Sequence, residues 1–226
     1  MNLPRTPHRW QISPTQAVAI QRRLAGQVRL LKQPLPRRVV GLDCAFTETR
    51  VLAVAVVWDV AAGSVLEVRR AQAPLRFPYV PGLLSFREVP ALLAVLRGVR
   101  SRVDGVLCDG QGIAHPRRFG LASHLGVIIG LPTAGCAKSR LCGADAMPGS
   151  IRGDRVPLLD DGERIGTVLR TRDGVKPVYV SPGHLIDHDS AVRWVLASGG
   201  GYRLPEPLRL ADRLVAEYKR RRALSR

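Results

Sequence analysis

A chain of 226 residues with 35 Lys and Arg against 18 Asp and Glu carries a formal charge of +17. That excess makes a polyanion the default partner, because cations that neutralise phosphates supply affinity independent of sequence, and nucleic acid is the first candidate. With 46% hydrophobic and 23% charged residues the composition is globular, which excludes a disordered basic tail. The length suits one domain over 1–226, with the basic end at 219–226 expected to be flexible. Met1–Trp10 has no apolar signal core, and the longest apolar stretches, such as Val51–Val57, fall well short of the about 20 residues that span a bilayer. A cytoplasmic protein without a membrane partner is expected. Cys44, Cys108, Cys136 and Cys142 form no C-x-x-C pair and match no zinc spacing, so they are expected to be reduced, buried and small-hydrophobic in role.

In chain order, Ser13-Pro14-Thr15-Gln16 has the capping-box arrangement with proline at the first helical position. Apolar residues then recur at Ala17, Ile20, Leu24, Val28 and Leu31, which predicts an amphipathic helix ended by Pro34 and Pro36. Three β-rich runs follow, Arg38–Phe46, Arg50–Asp59 and Ser64–Ala71, and predict an antiparallel meander. The second is apolar on both faces and belongs where the sheet is covered on both sides. The period changes at Pro90, which reads as the first turn of a helix ending near Arg100. Val103–Cys108 and Thr133–Ala137 are short buried strands flanking a helix over Arg117–Ile129, an alternation that implies parallel pairing through crossovers. Gly143–Asp154 is a loop, Arg155–Arg170 a hairpin turning at Asp160-Asp161-Gly162, and Pro177–Ser181 one more strand. Helices over Asp187–Ala197 and Pro207–Arg222 finish the chain. The expected architecture is a mixed sheet with helices on both faces.

Several residues carry chemistry against a blander alternative. Asp43 interrupts the apolar run Val39–Phe46, where a carboxylate is costly unless it is paired or binds a metal. Asp109 follows a buried strand and precedes Gly110-Gln111-Gly112, at the kind of strand end where ligands bind α/β sheets; a glycine-rich turn is its alternative reading. Glu88 alone would be a surface acid, but three acids converging from separate elements would form an oxygen-ligand site for Mg²⁺. Tyr79, between Pro78 and Val80-Pro81, is either a packed loop aromatic or a wedge between bases. His115 and Lys138 lie close to these acids in sequence or along the same sheet edge, and Lys138 would stabilise charge on a phosphate; each is otherwise an ordinary structural or surface residue.

Long strings in this chain resemble the endonuclease V family, nucleases that act on deaminated bases, chiefly hypoxanthine. They are Phe77–Leu84, Phe86-Arg87-Glu88, Asp109–Arg117, Ala122–Gly126, Ala137–Leu141, Val180–His184 and Leu204–Pro207. The resemblance runs from about Arg9 to Leu214. It implies a ribonuclease H-like fold, with Asp43, Glu88 and Asp109 as metal-binding catalytic carboxylates and His115 and Lys138 near the cleaved phosphate. Tyr79, with Pro78, Val80 and Pro81, matches the wedge; Gly82, Leu84, Gly110, Gly112, Leu121 and Leu141 match the pocket for the extruded base. The implied reaction is Mg²⁺-dependent hydrolysis of the second phosphodiester 3′ to the lesion, leaving 3′-hydroxyl and 5′-phosphate, with Mn²⁺ able to substitute. The implied partner is DNA containing deaminated bases, or inosine-containing RNA, met by a monomer. Asp212 departs from the family pattern, which usually has His there: it is either a fourth metal ligand or proton carrier, or a helix acid paired with Arg209. The 143–157 loop lacks the expected Trp. A structure-specific ribonuclease H-like nuclease would use the same carboxylates without wedge or pocket, and a non-catalytic binding module would need neither.

Overall fold

In the computed structural model, which describes residues 1–144 and 146–224, Ser13 Oγ accepts from the Gln16 N–H and the Gln16 side chain accepts in return, opening helix α1 (Pro14–Ala25). The helix stops at Gly26, short of the Leu31 that apolar spacing reached. Glycine is a poor helix interior residue, and the chain beyond it instead gives carbonyls of Arg29 and Leu31 to the Leu185 and Asp187 N–H groups.

Strands β1 (Arg38–Phe46), β2 (Arg50–Asp59) and β3 (Ser64–Pro74) form the expected meander. Strand β3 runs on to Pro74 because Arg50 of β2 pairs with it. Both faces of β2 are buried: Val51, Ala53, Ala55 and Val57 face one core, and Leu52, Val54 and Val56 another.

Helix α2 (Leu84–Arg97) begins earlier than Pro90, which lies inside it. The missing proline N–H costs the helix one bond, but Phe86, Val89, Leu92, Leu93 and Leu96 bury its inner face and outweigh that loss. Strand β4 (Gly105–Cys108), helix α3 (Leu121–Ile129) and strand β5 (Thr133–Ala137) follow. Helix α3 starts at Leu121 and not at Arg117; the intervening turn holds Arg118 at φ 52°. Strands β6 (Arg155–Asp160) and β7 (Glu163–Leu169) make the hairpin, and β8 (Val178–His184), α4 (His188–Ala197) and α5 (Glu206–Leu224) complete the order. Residues 219–224, expected to be flexible, continue α5. Residues 225 and 226 of that end, and Asp145 of the 143–154 loop, lie outside the described residues.

The eight strands of the described residues share one sheet in the order β3-β2-β1-β4-β5-β8-β7-β6. Strands β1, β4 and β5 are mutually parallel, so their C-terminal ends open on one edge. Helices α2 and α3 cover one face, α4 and α5 the other. All four cysteines are free; Cys108 and Cys136 are buried as expected, whereas Cys44 and Cys142 are only half-buried. Among the described residues no helix is long and apolar enough to cross a membrane.

Candidate active site

The parallel edge gathers the charged residues. Asp43 leaves β1 and Asp109 follows β4, and the Asp109 N–H donates to the Leu42 carbonyl at 3.3 Å, tying the two strand ends together. Asp43 Oδ1 accepts from the Cys44 N–H at 2.8 Å. Glu88 reaches this edge from α2 and is buried. Burial pushes the Asp43 carboxyl up to about 7, helped by the charges of Asp109 and Asp212 and opposed by the Cys44 N–H and Lys138. Burial also pushes Glu88 up to about 8, with Asp43 and Asp109 adding to it and Arg87 opposing.

Lys138, one residue beyond β5, places Nζ 3.1 Å from Asp109 Oδ2 and 3.2 Å from Asp212 Oδ2. Burial pulls its ammonium down, but the two carboxylates outweigh that and hold it above its ordinary value. Asp212 is therefore turned to the edge and not to Arg209, whose guanidinium instead meets Glu206 at 2.7 Å. No three acidic, histidine or cysteine side chains among the described residues close around one point as a ready ion site. The donor set still suits a hard divalent cation: Mg²⁺ takes one or two carboxylates and completes its shell with water and phosphate oxygens, and two carboxyls that repel one another's ionisation gain from a cation.

Beside the acids lies a cavity of about 400 Å³ whose wall includes Tyr79, Val80, Pro81, Gly82, Leu84, Gly110, Leu121 and Leu141, with Asp109 and Lys138 at one side. That size is ordinary for a small-molecule site. Tyr79 is 71% exposed at the rim, with the Arg87 guanidinium 5.8 Å from its ring centre and 4.8 Å from that of Phe46. Pro78 is exposed but not in the wall. Gly112 is not in the wall either: a Cβ there would stand 1.9 Å from the Pro182 carbonyl oxygen, so this glycine serves backbone packing against β8. His115 is in the wall with both ring nitrogens engaged, Nε2 on the Gly82 carbonyl at 2.9 Å and Nδ1 accepting from the Arg117 N–H at 3.1 Å. Burial pushes its pKa down to about 4.

Among the wall residues to which the sequence reading gave no role are Gln111 and Gln21. Gln111 donates to the Ser139 carbonyl at 3.0 Å, and Gln21 reaches in from α1. Gln21 had a signal: a polar residue four after Ala17 and three before Leu24, on the stripe that α1 buries. A larger open cavity, about 630 Å³, lies by the C-terminal end of α5 and is lined by Arg50, Lys219 and Arg222 among others. It has one acid, Glu48, and lacks the grouping seen at the sheet edge.

A meander feeding parallel strands, with acids at the strand ends, is the ribonuclease H-like arrangement, and the chemistry it gathers suits phosphodiester cleavage. A sequence model of the family described as Endonuclease V matches residues 22–213. An endonuclease V of Methanothrix thermoacetophila is 48% identical over 207 residues, 92% of either chain. The crystal structure of endonuclease V from Streptomyces avermitilis superposes with a TM-score of 0.91 at 44% identity, covering 98% of this chain and 100% of that one. A Ciona intestinalis endonuclease V, crystallised with a 24mer DNA containing an inosine followed by a ribo-adenosine, has the same fold at 22% identity, with a TM-score of 0.80 over 92% and 97% of the two chains. The chain belongs to the endonuclease V family and is an endonuclease.

Proposed function

We propose that this endonuclease acts on nucleic acid containing deaminated bases, chiefly hypoxanthine, and hydrolyses the second phosphodiester 3′ to the lesion, leaving 3′-hydroxyl and 5′-phosphate. The observation that carries the reading is the sharing of Asp109 and Lys138 between the acid cluster and the cavity wall, so that one bound strand meets both. The extruded base enters the cavity, where backbone groups around Gly82 and Gly110 can approach it without a Cβ between them. Tyr79, stiffened by Pro78 and Pro81, fills the gap left in the stack. Asp43, Glu88 and Asp109, with Asp212 beside them, hold Mg²⁺, and Mn²⁺ replaces it because both favour oxygen ligands. When bound, the cation supplies Lewis acidity and a more acidic water. Lys138 adds a fixed positive charge at the phosphate, and the protein works as a monomer.

A nicking assay with Mg²⁺ on duplexes with and without one deoxyinosine tests this. Cleavage confined to the deoxyinosine strand, at the second phosphodiester, is expected; equal cutting of both duplexes would sink lesion recognition. The same assay on inosine in RNA separates the DNA enzyme from an endoribonuclease, since the cavity reads a base that both polymers contain.

A further inference from the structure

Three side chains donate to one carbonyl oxygen. Gln21 Nε2 lies 3.0 Å, His115 Nε2 2.9 Å and Arg117 Nη2 2.8 Å from the oxygen of Gly82. One comes from α1 and two from the turn ahead of α3. A carbonyl has two lone pairs, so three donors exceed its usual complement, and the guanidinium makes one of them charge-assisted. The donors also hold one another. Arg117 Nε donates to Gln21 Oε1 at 2.5 Å, the Arg117 N–H donates to His115 Nδ1, and Gln21 Nε2 also reaches the Phe119 carbonyl at 3.1 Å. Because His115 Nδ1 accepts, the proton sits on Nε2 and points at Gly82, a tautomer assigned from the network.

The other end of the same peptide is fixed as well, since the Leu83 N–H donates to the Val80 carbonyl at 3.0 Å. Gly82 has φ 76°, and a Cβ there would stand 2.7 Å from Arg117 Nη2, so only glycine lets the guanidinium close on this carbonyl. The peptide belongs to the loop that carries Tyr79 at the rim and Gly82 and Leu84 in the cavity wall. Gln21 itself is 1% exposed, a polar side chain spent wholly on this junction.

We propose that Gln21, His115 and Arg117 act together as a clamp on the Gly82 carbonyl that fixes the Tyr79–Leu84 loop over the cavity and so sets which flat base the cavity holds. They are positioning residues, acting through the loop. The selectivity part rests on the base-pocket reading above; the clamp itself does not.

The test uses Gln21→Leu and Gln21→Glu in the full chain, with hydrogen exchange read by mass spectrometry and cleavage read on deoxyinosine and undamaged duplexes. In Gln21→Leu, exchange over residues 79–84 should rise about tenfold, as for one lost hydrogen bond, with the β-sheet peptides unchanged. KM for the deoxyinosine duplex should rise by a similar factor while kcat stays within about twofold, because the reacting groups are untouched. Gln21→Glu keeps an acceptor for Arg117 but has no donor for Gly82, so it should match Gln21→Leu; wild-type behaviour in Gln21→Glu would mean that only the Arg117 contact matters and would overturn the clamp. Unchanged exchange over 79–84 in Gln21→Leu would overturn it too, and faster exchange with unchanged lesion KM would remove the selectivity role. If Gln21→Leu fails to fold, Arg117→Lys, which keeps the charge and loses the fork, is read the same way. A wild-type enzyme with no preference for deoxyinosine would refute the base-pocket reading while leaving the exchange result to judge the clamp.

Discussion

Asp43 and Glu88 sit where their own ionisation is opposed by burial and by the neighbouring carboxylates, Asp109 and Asp212 for Asp43 and Asp43 and Asp109 for Glu88. A carboxyl whose folded pKa stands above its unfolded value stabilises the fold while protonated. That contribution is whole below the ordinary carboxylate range and is lost as pH rises through about 7 for Asp43 and about 8 for Glu88. A cation held by the same oxygens offsets the loss, so Mg²⁺ should raise Tm more at alkaline than at mildly acidic pH in thermal melts. Asp43→Asn should shrink that difference. Asp43→Ala or Asp109→Ala should abolish cleavage while leaving the far-ultraviolet spectrum unchanged, and retained turnover would refute the carboxylate assignment. Lys138→Ala should lower single-turnover rates by about 10²–10³, the usual cost of one transition-state donor. The charged residues were legible in the sequence because an acid in an apolar run, or a charge just past a buried strand, is conspicuous. Gln21 and Gln111 were not, since an amide advertises no chemistry until its partners from distant segments are known. Nor was the packing need for glycine at Gly112, which comes from β8, far along the chain.

At the scale of elements, the N-terminal segment is held to α2 and α3 by a chain of ring nitrogens. Ser85 Oγ lies 2.9 Å from His124 Nδ1, His124 Nε2 lies 2.8 Å from His8 Nε2, and His8 Nδ1 lies 2.9 Å from the Arg9 carbonyl. Read from the carbonyl inward, His8 donates to Arg9, His124 donates to His8, and Ser85 donates to His124. Burial lowers the pKa of both histidines, that of His124 well below 6.5. A histidine with a depressed folded pKa stabilises the fold above its unfolded value of 6.5 and loses that contribution as pH falls through the folded value. Acid should therefore loosen residues 1–10, seen as proteolysis near Trp10 that increases as pH falls below 6.5. A His8→Ala and His124→Gln double variant should make that cleavage pH-independent; a persistent pH step would refute the histidine chain as its cause. Strand positions were the easier elements to read, because period-2 runs of β-branched residues have few alternatives. Helix limits were harder: burial of its inner face carries α2 through Pro90, whereas Gly26 and the backbone bonds that Arg29 and Leu31 make to Leu185 and Asp187 end α1 ahead of its last apolar repeats.

For the molecule as a whole, the charge of +17 has a direction. Lys219 and Arg222 lie on α5 beyond Asp212, and the first of them is two turns, about 10 Å, along the helix. With Arg50 they line the larger cavity, on the α5 side of the sheet. Phosphates flanking the cut should be held there. A Lys219→Ala and Arg222→Ala double variant should lower affinity for damaged and undamaged duplexes alike and reduce the slope of log K against log salt by about 1.8, measured by fluorescence anisotropy. The meander, the parallel crossovers and the two-faced sheet were legible in the sequence. The place of β8 was not: it lies antiparallel between β5 and β7 and joins the hairpin to the rest, a pairing between distant segments that no local pattern announces.

Behind the cavity, Gly112 meets the Pro182 carbonyl, Gly135 meets the Gly110 carbonyl and Gly183 meets Thr133, each too close for any Cβ. Backbone thus packs closely on backbone where the ends of β4 and β5 meet β8, with the Thr133 hydroxyl packed against Gly183. Variation in the cavity must then come from the residues of its wall that carry side chains, among them Leu121 inside and Leu84 and Leu141 at the exposed rim.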